Sequence, residues 1–208
     1  MPYGFLDIAI TPSVKAAQAQ NGSAHLWEDF KGHRAFDRLT ESEEAFIGQR
    51  DSFYMATVSE TGWPYVQHRG GPRGFLRVID DRTLAFADFA GNRQYISLGN
   101  LAAEGRVSLI LMDYANRRRL KIFAHAEVKS LADNPDLAAK LSTPGYRGKA
   151  ERAFVLHLDA FDWNCPQHIT QRFDAPDVAQ AIGALQQRIE ALEAENKRLR
   201  EQGSAQPD

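Results

Sequence analysis

Between residues 52 and 158 the chain repeats short segments rich in aromatic and β-branched residues, separated by turn signals. The segment 53–59 is followed by Glu60-Thr61-Gly62, which is typical of a hairpin turn, and then by residues 63–66. Such segments predict short strands joined by hairpins. Further strand candidates are residues 75–79, 83–88, 106–113, 119–130 and 153–161.

Two helical patterns interrupt these strands. Residues 92–104 are ended by Gly105, and residues 134–142 begin at Asn134-Pro135. Five to seven hairpin-linked strands with so few helices predict a mainly β protein of the α+β class, built as an antiparallel barrel. No G-x-G-x-x-G motif supports a Rossmann fold.

Composition and charge exclude several classes of protein. The chain has 208 residues, 43% of them hydrophobic, and a formal net charge of −2. This charge disfavours nucleic-acid binding through bulk electrostatics. We expect neither a membrane partner nor a secretory signal, because no run of 18 apolar residues occurs and residues 1–10 lack a basic start. The single cysteine, Cys165, is typical of a reducing compartment, so we expect a cytoplasmic protein.

Helical segments are predicted at both ends of the barrel. Residues 1–50 are expected to form an amino-terminal helical arm, in which Thr40 and Glu43 form a capping box. The barrel is expected to occupy residues 51–175. Residues 176–202 are expected to form a carboxy-terminal helix, and residues 203–208 a disordered tail.

This carboxy-terminal segment carries a heptad pattern. The apolar residues Ile182, Leu185, Ile189, Leu192 and Leu199, together with Asn196, fall at alternating spacings of three and four. β-Branched residues at a, leucine at d and one asparagine at a favour a parallel two-stranded coiled coil that assists a dimer formed elsewhere. An amphipathic helix lying on its own domain is the alternative.

Two polar stretches within the strand region are candidate binding segments. In the first, Arg69, Gly70 and Gly71 combine a fixed charge with bare backbone, which favours close approach of a flat ligand, although a bulge at a barrel corner is the alternative. In the second, a strand ending at Asp88 leads through Gly91 into a helix start. Unpaired N–H groups there favour a phosphate, and a capped helix with a surface arginine is the alternative. The polar residues of this second stretch are Asn92, Arg93, Gln94, Tyr95 and Ser97.

A third stretch, from Asp162 to Arg172, contains Cys165 and His168. They are candidate catalytic residues, His168 for contact with substrate or cofactor and Cys165 as a nucleophile, while an inert cysteine is the alternative. One cysteine and one histidine lack the second ligand pair that a metal site needs, so no metal is expected.

Four motifs resemble the flavin-nucleotide-binding split-barrel proteins related to pyridoxamine 5′-phosphate oxidase. They are Asp51-Ser52-Phe53-Tyr54, Gly62-Trp63-Pro64-Tyr65-Val66-Gln67-His68-Arg69-Gly70-Gly71, Gly91-Asn92-Arg93-Gln94-Tyr95 and Arg119-Leu120-Lys121-Ile122. The resemblance implies a six-stranded antiparallel split β-barrel with FMN bound at a homodimer interface.

The resemblance also implies roles for these residues. The segment from Arg69 to Gly71 would run along the flavin ring, residues 92–94 would hold the phosphate with Tyr95 and Ser97 nearby, and Arg119 would contact the flavin of the partner chain. The chain has no counterpart of the oxidase's carboxy-terminal substrate segment, so vitamin B6 oxidation is not expected.

The expected function is that of an oxidoreductase that transfers hydride or electrons through FMN to a small-molecule substrate that the sequence does not identify. Two alternatives stay open. One is a flavin-binding carrier or sensor without turnover, and the other is a haem-binding split barrel.

Overall fold

A computed structural model describes residues 4–27, 37–163 and 165–204. The chain forms two units, one of residues 1–113 with 117–168 and the other of residues 114–116 with 169–208. Residues 1–3 and 28–36 of the expected arm, Asn164 of the third stretch and residues 205–208 of the expected tail lie outside the described residues.

Helices and strands alternate irregularly along the chain. The helices are α1 (Phe5–Ala9), α2 (Pro12–Gln20), α3 (Glu41–Gly48), α4 (Ile96–Ala103), α5 (Pro135–Leu141) and α6 (Ala175–Ser204), with a short 3₁₀ turn at Ala24–Leu26. The strands are β1 (Ser52–Val58), β2 (Pro64–Gly70), β3 (Arg77–Asp80), β4 (Thr83–Phe89), β5 (Arg106–Asp113), β6 (Arg118–Lys129) and β7 (Ala150–Trp163).

One antiparallel sheet contains all seven described strands, in the order β2-β1-β5-β6-β7-β4-β3. The split-barrel expectation is confirmed, with one more strand than the six that the resemblance implies. The additional strand over the resemblance is consistent with the sequence pattern, which indicated a strand at residues 75–79, where β3 forms and pairs with β4. In the described part of the chain, no helix is both long and apolar enough to cross a membrane.

The sheet is rolled around an apolar core. Alternation along β1 buries Phe53 and Met55, and β4 contributes Phe86. The Phe53 and Phe86 ring centroids are 5.2 Å apart, although three strands separate β1 from β4 in the sheet. Phe86 also stacks on Phe154 of β7, at 5.1 Å. These contacts close the barrel over its own interior.

Helix α4 begins four residues later than the sequence pattern indicates. The pattern predicted helix from Asn92, but the helix starts at Ile96. Arg93 and Tyr95 have positive φ values of 61° and 54°, which a right-handed helix does not accommodate. Residues 92–95 therefore form a loop between β4 and α4.

The carboxylate of Glu43 links helix α3 to the barrel. Glu43 accepts hydrogen bonds from the Thr40 backbone N–H at 3.0 Å and from Trp163 Nε1, at the end of β7, at 2.7 Å. Burial acts to raise the pKa of Glu43, but the hydrogen bonds from Thr40 and Trp163 outweigh it and leave the pKa below its usual value of 4.5. The ionised carboxylate therefore stabilises the folded state.

Glu43→Gln is expected to lower the free energy of unfolding by about 1 kcal/mol at pH 7, because the charged acceptor is lost. A lowered folded-state pKa contributes stability above the unfolded pKa, and this stability is lost as pH falls. The difference from the parent chain should therefore shrink below about pH 4.5. Urea unfolding at several pH values measures it.

Glu44→Gln is the matched control, because Glu44 lies next to Glu43 on α3 but is exposed. We expect its effect to stay within about 0.5 kcal/mol. A difference for Glu43→Gln that is the same at pH 7 and pH 3.5 would contradict the proposed role of the carboxylate.

Candidate functional site

The first unit of the chain contains a polar cleft of about 180 Å³. Its walls come from β2, the end of β4, the β4–α4 loop, the first turn of α4 and the start of β7. It is lined by Tyr65, Gln67, Arg69, Asp88, Phe89, Gly91, Asn92, Arg93, Gln94, Tyr95, Ile96, Ser97, Leu98, Glu151 and Phe154. The first two stretches singled out in the sequence thus meet at one site.

Strand alternation explains the β2 wall. Tyr65, Gln67 and Arg69 are two residues apart, so their side chains share one face of the strand and point into the cleft. Val66 and His68 lie on the opposite, exposed face. The residues of this wall are therefore set by the pairing register of β2 with β1.

An ion pair joins the two sides of the cleft. Arg69 Nη1 of β2 donates to Asp88 Oδ1 of β4 at 2.6 Å, and the two side chains are 13% and 9% exposed. Arg152, directly opposite Asp88 on β7, has its Nη1 3.7 Å from Asp88 Oδ2. The Arg69 guanidinium also lies over the Phe154 ring, 5.1 Å from its centroid. We call the side chains of Arg69, Asp88 and Arg152 the Asp88 cluster.

Burial dominates the titration of the Asp88 cluster. It raises the pKa of Asp88, and the charges of Arg69 and Arg152 only partly oppose it. Burial lowers the pKa of Arg69, and the negative charge of Asp88 is the main effect that opposes this lowering. Arg69 Nε and Arg152 Nη1 are buried and have no hydrogen-bond partner among the described residues. The cluster therefore holds buried donors that its own carboxylate does not satisfy, as suits a site for anions.

The β4–α4 loop forms the opposite end of the cleft. Its positive φ values at Arg93 and Tyr95 cost on the order of 1–3 kcal/mol each, and such strain is concentrated at ligand-binding sites. Asn92 Oδ1 accepts from the Gln94 backbone N–H at 3.1 Å, which holds the loop in this shape. Arg93 is exposed and makes no ion pair with any described residue. Its guanidinium is therefore available to a ligand.

The first turn of α4 adds backbone donors. Its N-cap, Tyr95, makes no side-chain cap hydrogen bond, so the first N–H groups of the helix are not satisfied by a capping side chain. Together with the helix dipole and Arg93, these groups favour a phosphate or another anion.

Two side-chain hydrogen bonds fix α4 against the strands. Ser97, which is buried, donates from Oγ to Gln67 Oε1 at 3.0 Å. Asn100 donates from Nδ2 to Thr57 Oγ1 of β1 at 2.9 Å. The position of the first turn of α4 is therefore tied to β1 and β2.

The start of β7 contributes residues that the sequence reasoning missed. Glu151 accepts from Tyr95 Oη at 3.3 Å and from Arg152 Nη2 at 2.7 Å, and the Arg152 guanidinium lies 4.9 Å from the Tyr95 ring centroid. Glu151 and Arg152 lie about sixty residues after the β4–α4 loop in the sequence, and no local motif links them to that loop. The sequence could have indicated Tyr65 and Gln67, since they share strand alternation with Arg69.

Three of the predicted binding residues do not line the cleft: Gly70, Gly71 and Arg119. A Cβ atom on Gly71 would lie 2.6 Å from Phe75 Cγ, and one on Gly74, which has a φ of +76°, would lie 2.8 Å from the Gly48 carbonyl oxygen. Packing within the chain therefore explains Gly71 and Gly74 without a ligand. Arg119 lies on β6, opposite Met112 of β5.

The two candidate catalytic residues do not line the cleft either. Cys165 is exposed, and His168 has a positive φ of 63° in a turn. Within the described residues, no group of three or more His, Cys, Asp or Glu side chains is arranged to hold a metal ion.

Comparison with known families and sequences gives one match. Residues 39–156, more than half of the chain, match the family model described as pyridoxamine 5′-phosphate oxidase. No curated protein sequence matches the chain significantly.

Several solved structures share the barrel at low identity. HupZ from Group A Streptococcus is 14% identical, with a TM-score of 0.46 over 65% of this chain and 100% of its own. An FMN-binding protein from Syntrophomonas wolfei is 15% identical, with a TM-score of 0.43 over 74% and 95%. General Stress Protein 26 from Bacillus anthracis is 12% identical, with a TM-score of 0.44 over 59% and 91%.

Asp88→Asn is expected to lower the free energy of unfolding by about 3 kcal/mol, because it leaves the largely buried Arg69 guanidinium without a counter-charge and leaves Arg152 paired with Glu151 alone among the described residues. Urea or thermal unfolding measures the change. Asp81→Asn is the matched control: it breaks the ion pair with Arg38, whose side chains are 61% and 51% exposed, and should cost less than about 1 kcal/mol. Similar costs for the two variants would contradict a structural role for the Asp88 cluster.

Proposed function

The chain belongs to the pyridoxamine 5′-phosphate oxidase family, and from this membership and the polar cleft we propose that it is a homodimeric flavoprotein that binds FMN. We propose further that it acts as an oxidoreductase on a small-molecule substrate. The observation that carries the proposal is the convergence of Arg69 of β2 and Arg93 of the β4–α4 loop on one cleft.

The anion-binding end of the cleft fits the phosphate of FMN. Arg93 supplies a guanidinium that makes no ion pair within the described part of the chain, and the first turn of α4 supplies backbone N–H groups. Asn92, Gln94, Tyr95 and Ser97 line the same end and complete the proposed phosphate site.

The β2 wall fits the rest of the nucleotide. We propose that Tyr65, Gln67 and the buried donors of Arg69 face the ribityl chain and the polar edge of the ring, with the backbone of Gly70 and Gly71 beyond them. Arg69 is held by Asp88 and is the proposed positive charge near that edge.

The dimensions of the cleft support a second protomer. A pocket that encloses a drug-sized ligand usually has about 300–1,000 Å³, whereas the cleft in one chain has about 180 Å³. We therefore propose that a second copy completes the ring site, with Arg119 contributing across the interface. Pairing of the α6 helices as a coiled coil is part of the proposed dimer.

When bound, FMN supplies hydride or electron transfer, which no side chain provides. The residues of the chain bind and orient the nucleotide: Arg93 neutralises the phosphate, and the Asp88 cluster fixes the charge of Arg69. We do not assign vitamin B6 oxidation to this site. We place the protein in the cytoplasm, as a single cysteine suits, without a nucleic-acid or membrane partner.

The proposal is tested first by titrating the purified chain with FMN. We expect saturable binding and a visible flavin absorption band that stays with the protein on gel filtration. A chain that remains free of flavin in excess FMN would overturn the proposal, and a Soret band after addition of haem would favour the haem-binding alternative.

Arg93→Ala is expected to raise the Kd for FMN by about 10- to 100-fold, the loss expected for a charge-assisted hydrogen bond. The Kd for riboflavin, which lacks the phosphate, should not change. Fluorescence titration with both flavins measures the two constants, and Arg38→Ala is the control for removal of an exposed arginine outside the cleft. Equal weakening of FMN and riboflavin binding by Arg93→Ala would contradict its contact with phosphate.

Turnover is tested separately on the FMN-loaded protein. Anaerobic addition of NADH or NADPH is expected to bleach the flavin band, and admission of air should restore it. A band that persists under both donors would favour the flavin carrier or sensor over the oxidoreductase.

A further inference from the structure

Helix α6 carries an apolar stripe that begins before Ile182. Its 30 residues, Ala175–Ser204, span about 45 Å. The heptad pattern extends one repeat towards the amino terminus, so that four repeats fit within the helix. Position a holds Ala175, Ile182, Ile189 and Asn196, and position d holds Val178, Leu185, Leu192 and Leu199.

The large apolar side chains of this stripe are open to solvent in the single chain. Val178, Ile182, Leu185, Ile189, Leu192 and Leu199 are between 44% and 64% exposed. Six of the eight a and d positions therefore carry an exposed, large apolar side chain. Such a stripe is typical of a surface that becomes buried in an assembly. The two exceptions are the small Ala175 and the polar Asn196.

We propose that α6 pairs with α6 of a second copy as a parallel, in-register two-stranded coil whose register is set by Asn196. This coil raises the effective concentration of the two barrels, so that the flavin site is complete at low protein concentration. The coil itself is independent of flavin, whereas its effect on flavin affinity rests on the proposed function.

Asn196 favours the parallel orientation. In a parallel, in-register pair the two Asn196 side chains meet in the same layer and can donate to and accept from each other. In an antiparallel pair centred on the same stripe, Asn196 would lie near Val178, and its buried amide would lack a partner. An unsatisfied buried amide is costly, so the parallel pair is preferred.

The flanking charges favour the same register. Arg188 and Glu195 occupy g positions, and the e positions five residues later in the sequence hold Glu193 and Arg200. In a parallel coil a g residue faces the e residue of the next repeat of the partner. Both interchain pairs are therefore of opposite charge, whereas a shift by one heptad would juxtapose Arg188 with Arg200.

The coil is too short to act alone at high dilution. Isolated coils of three to four repeats are marginal, and Gly183 destabilises the helix relative to alanine at that position. A parallel coil nevertheless brings the two Ala175 positions together, and only residues 164–174 separate each of them from its own barrel. Barrel pairing then becomes intramolecular, with an effective concentration on the order of millimolar.

Orientation and register are tested by disulfide capture in the full chain with Cys165→Ser, which removes the exposed native thiol. Leu192→Cys places a thiol at d, where parallel partners meet, and Ala194→Cys places one at the outward f position. Under mild oxidation we expect a disulfide-linked dimer for Leu192→Cys and little for Ala194→Cys. Equal capture at both positions, or none at position 192, would overturn the proposal.

The effect of the coil on assembly is tested by comparing two double variants. Leu185→Glu with Leu192→Glu places charges in the seam, and Gln187→Glu with Ala194→Glu places the same charges at f. We expect the first pair of substitutions to raise the dimer dissociation constant at least tenfold in sedimentation velocity, and the second to leave it within threefold. Equal dissociation constants, or a parent chain that sediments as a trimer or tetramer, would overturn the two-stranded coil.

Flavin titration separates this proposal from the proposed function. At nanomolar protein the seam variant should bind FMN at least tenfold more weakly than the f-position variant, and at micromolar protein the two should converge. If position 192 is captured but the parent chain binds no FMN at any concentration, the coil stands and the flavin function fails. If FMN affinity is the same for both variants at nanomolar protein, the tethering role fails.

Discussion

The ion pair between Arg69 and Asp88 links two distant strands of the sheet and forms part of the wall of the cleft. Four strands separate β2 from β4 in the sheet, and in the described pairings β2 bonds only to β1. A side-chain contact of 2.6 Å nevertheless joins them. Separating β2 from β4 would leave Asp88 with Arg152 alone and open one wall of the site, and a buried charge that loses its partner is costly.

The same dependence extends to the strained loop. Positive φ values at Arg93 and Tyr95 persist only where the surroundings enforce them. Here the loop lies between β4, which ends beside Asp88, and α4, which is tied to β2 through Ser97 and to β1 through Asn100. Barrel closure therefore supplies the stability that holds the β4–α4 loop in a conformation that it would not adopt alone.

Local patterns predicted the parts of the fold that local physics decides. Alternation of apolar residues located most strands, and the capping box of Thr40 and Glu43 located α3. The start of α4 was wrong, because backbone strain at Arg93 and Tyr95 leaves no compositional signal. Glu151 and Arg152 were missed for a different reason: they reach the cleft only through the register of β7 with β4, which no short window of sequence contains.

Arg69 and Arg93 show that residue type alone does not distinguish a paired, largely buried charge from an exposed one. Arg69 precedes Gly70 and Arg93 lies two residues after Gly91, and the sequence pattern predicted that both are charges for a ligand. The structure separates them: Arg69 is buried and already paired with a carboxylate, whereas Arg93 is exposed and has no ion pair among the described residues. A substitution at position 69 therefore acts first on the stability of the fold. It affects ligand binding only by altering the β2 wall of the cleft. A change at position 93 removes a charge that the fold does not use, so its effect reports on the ligand itself.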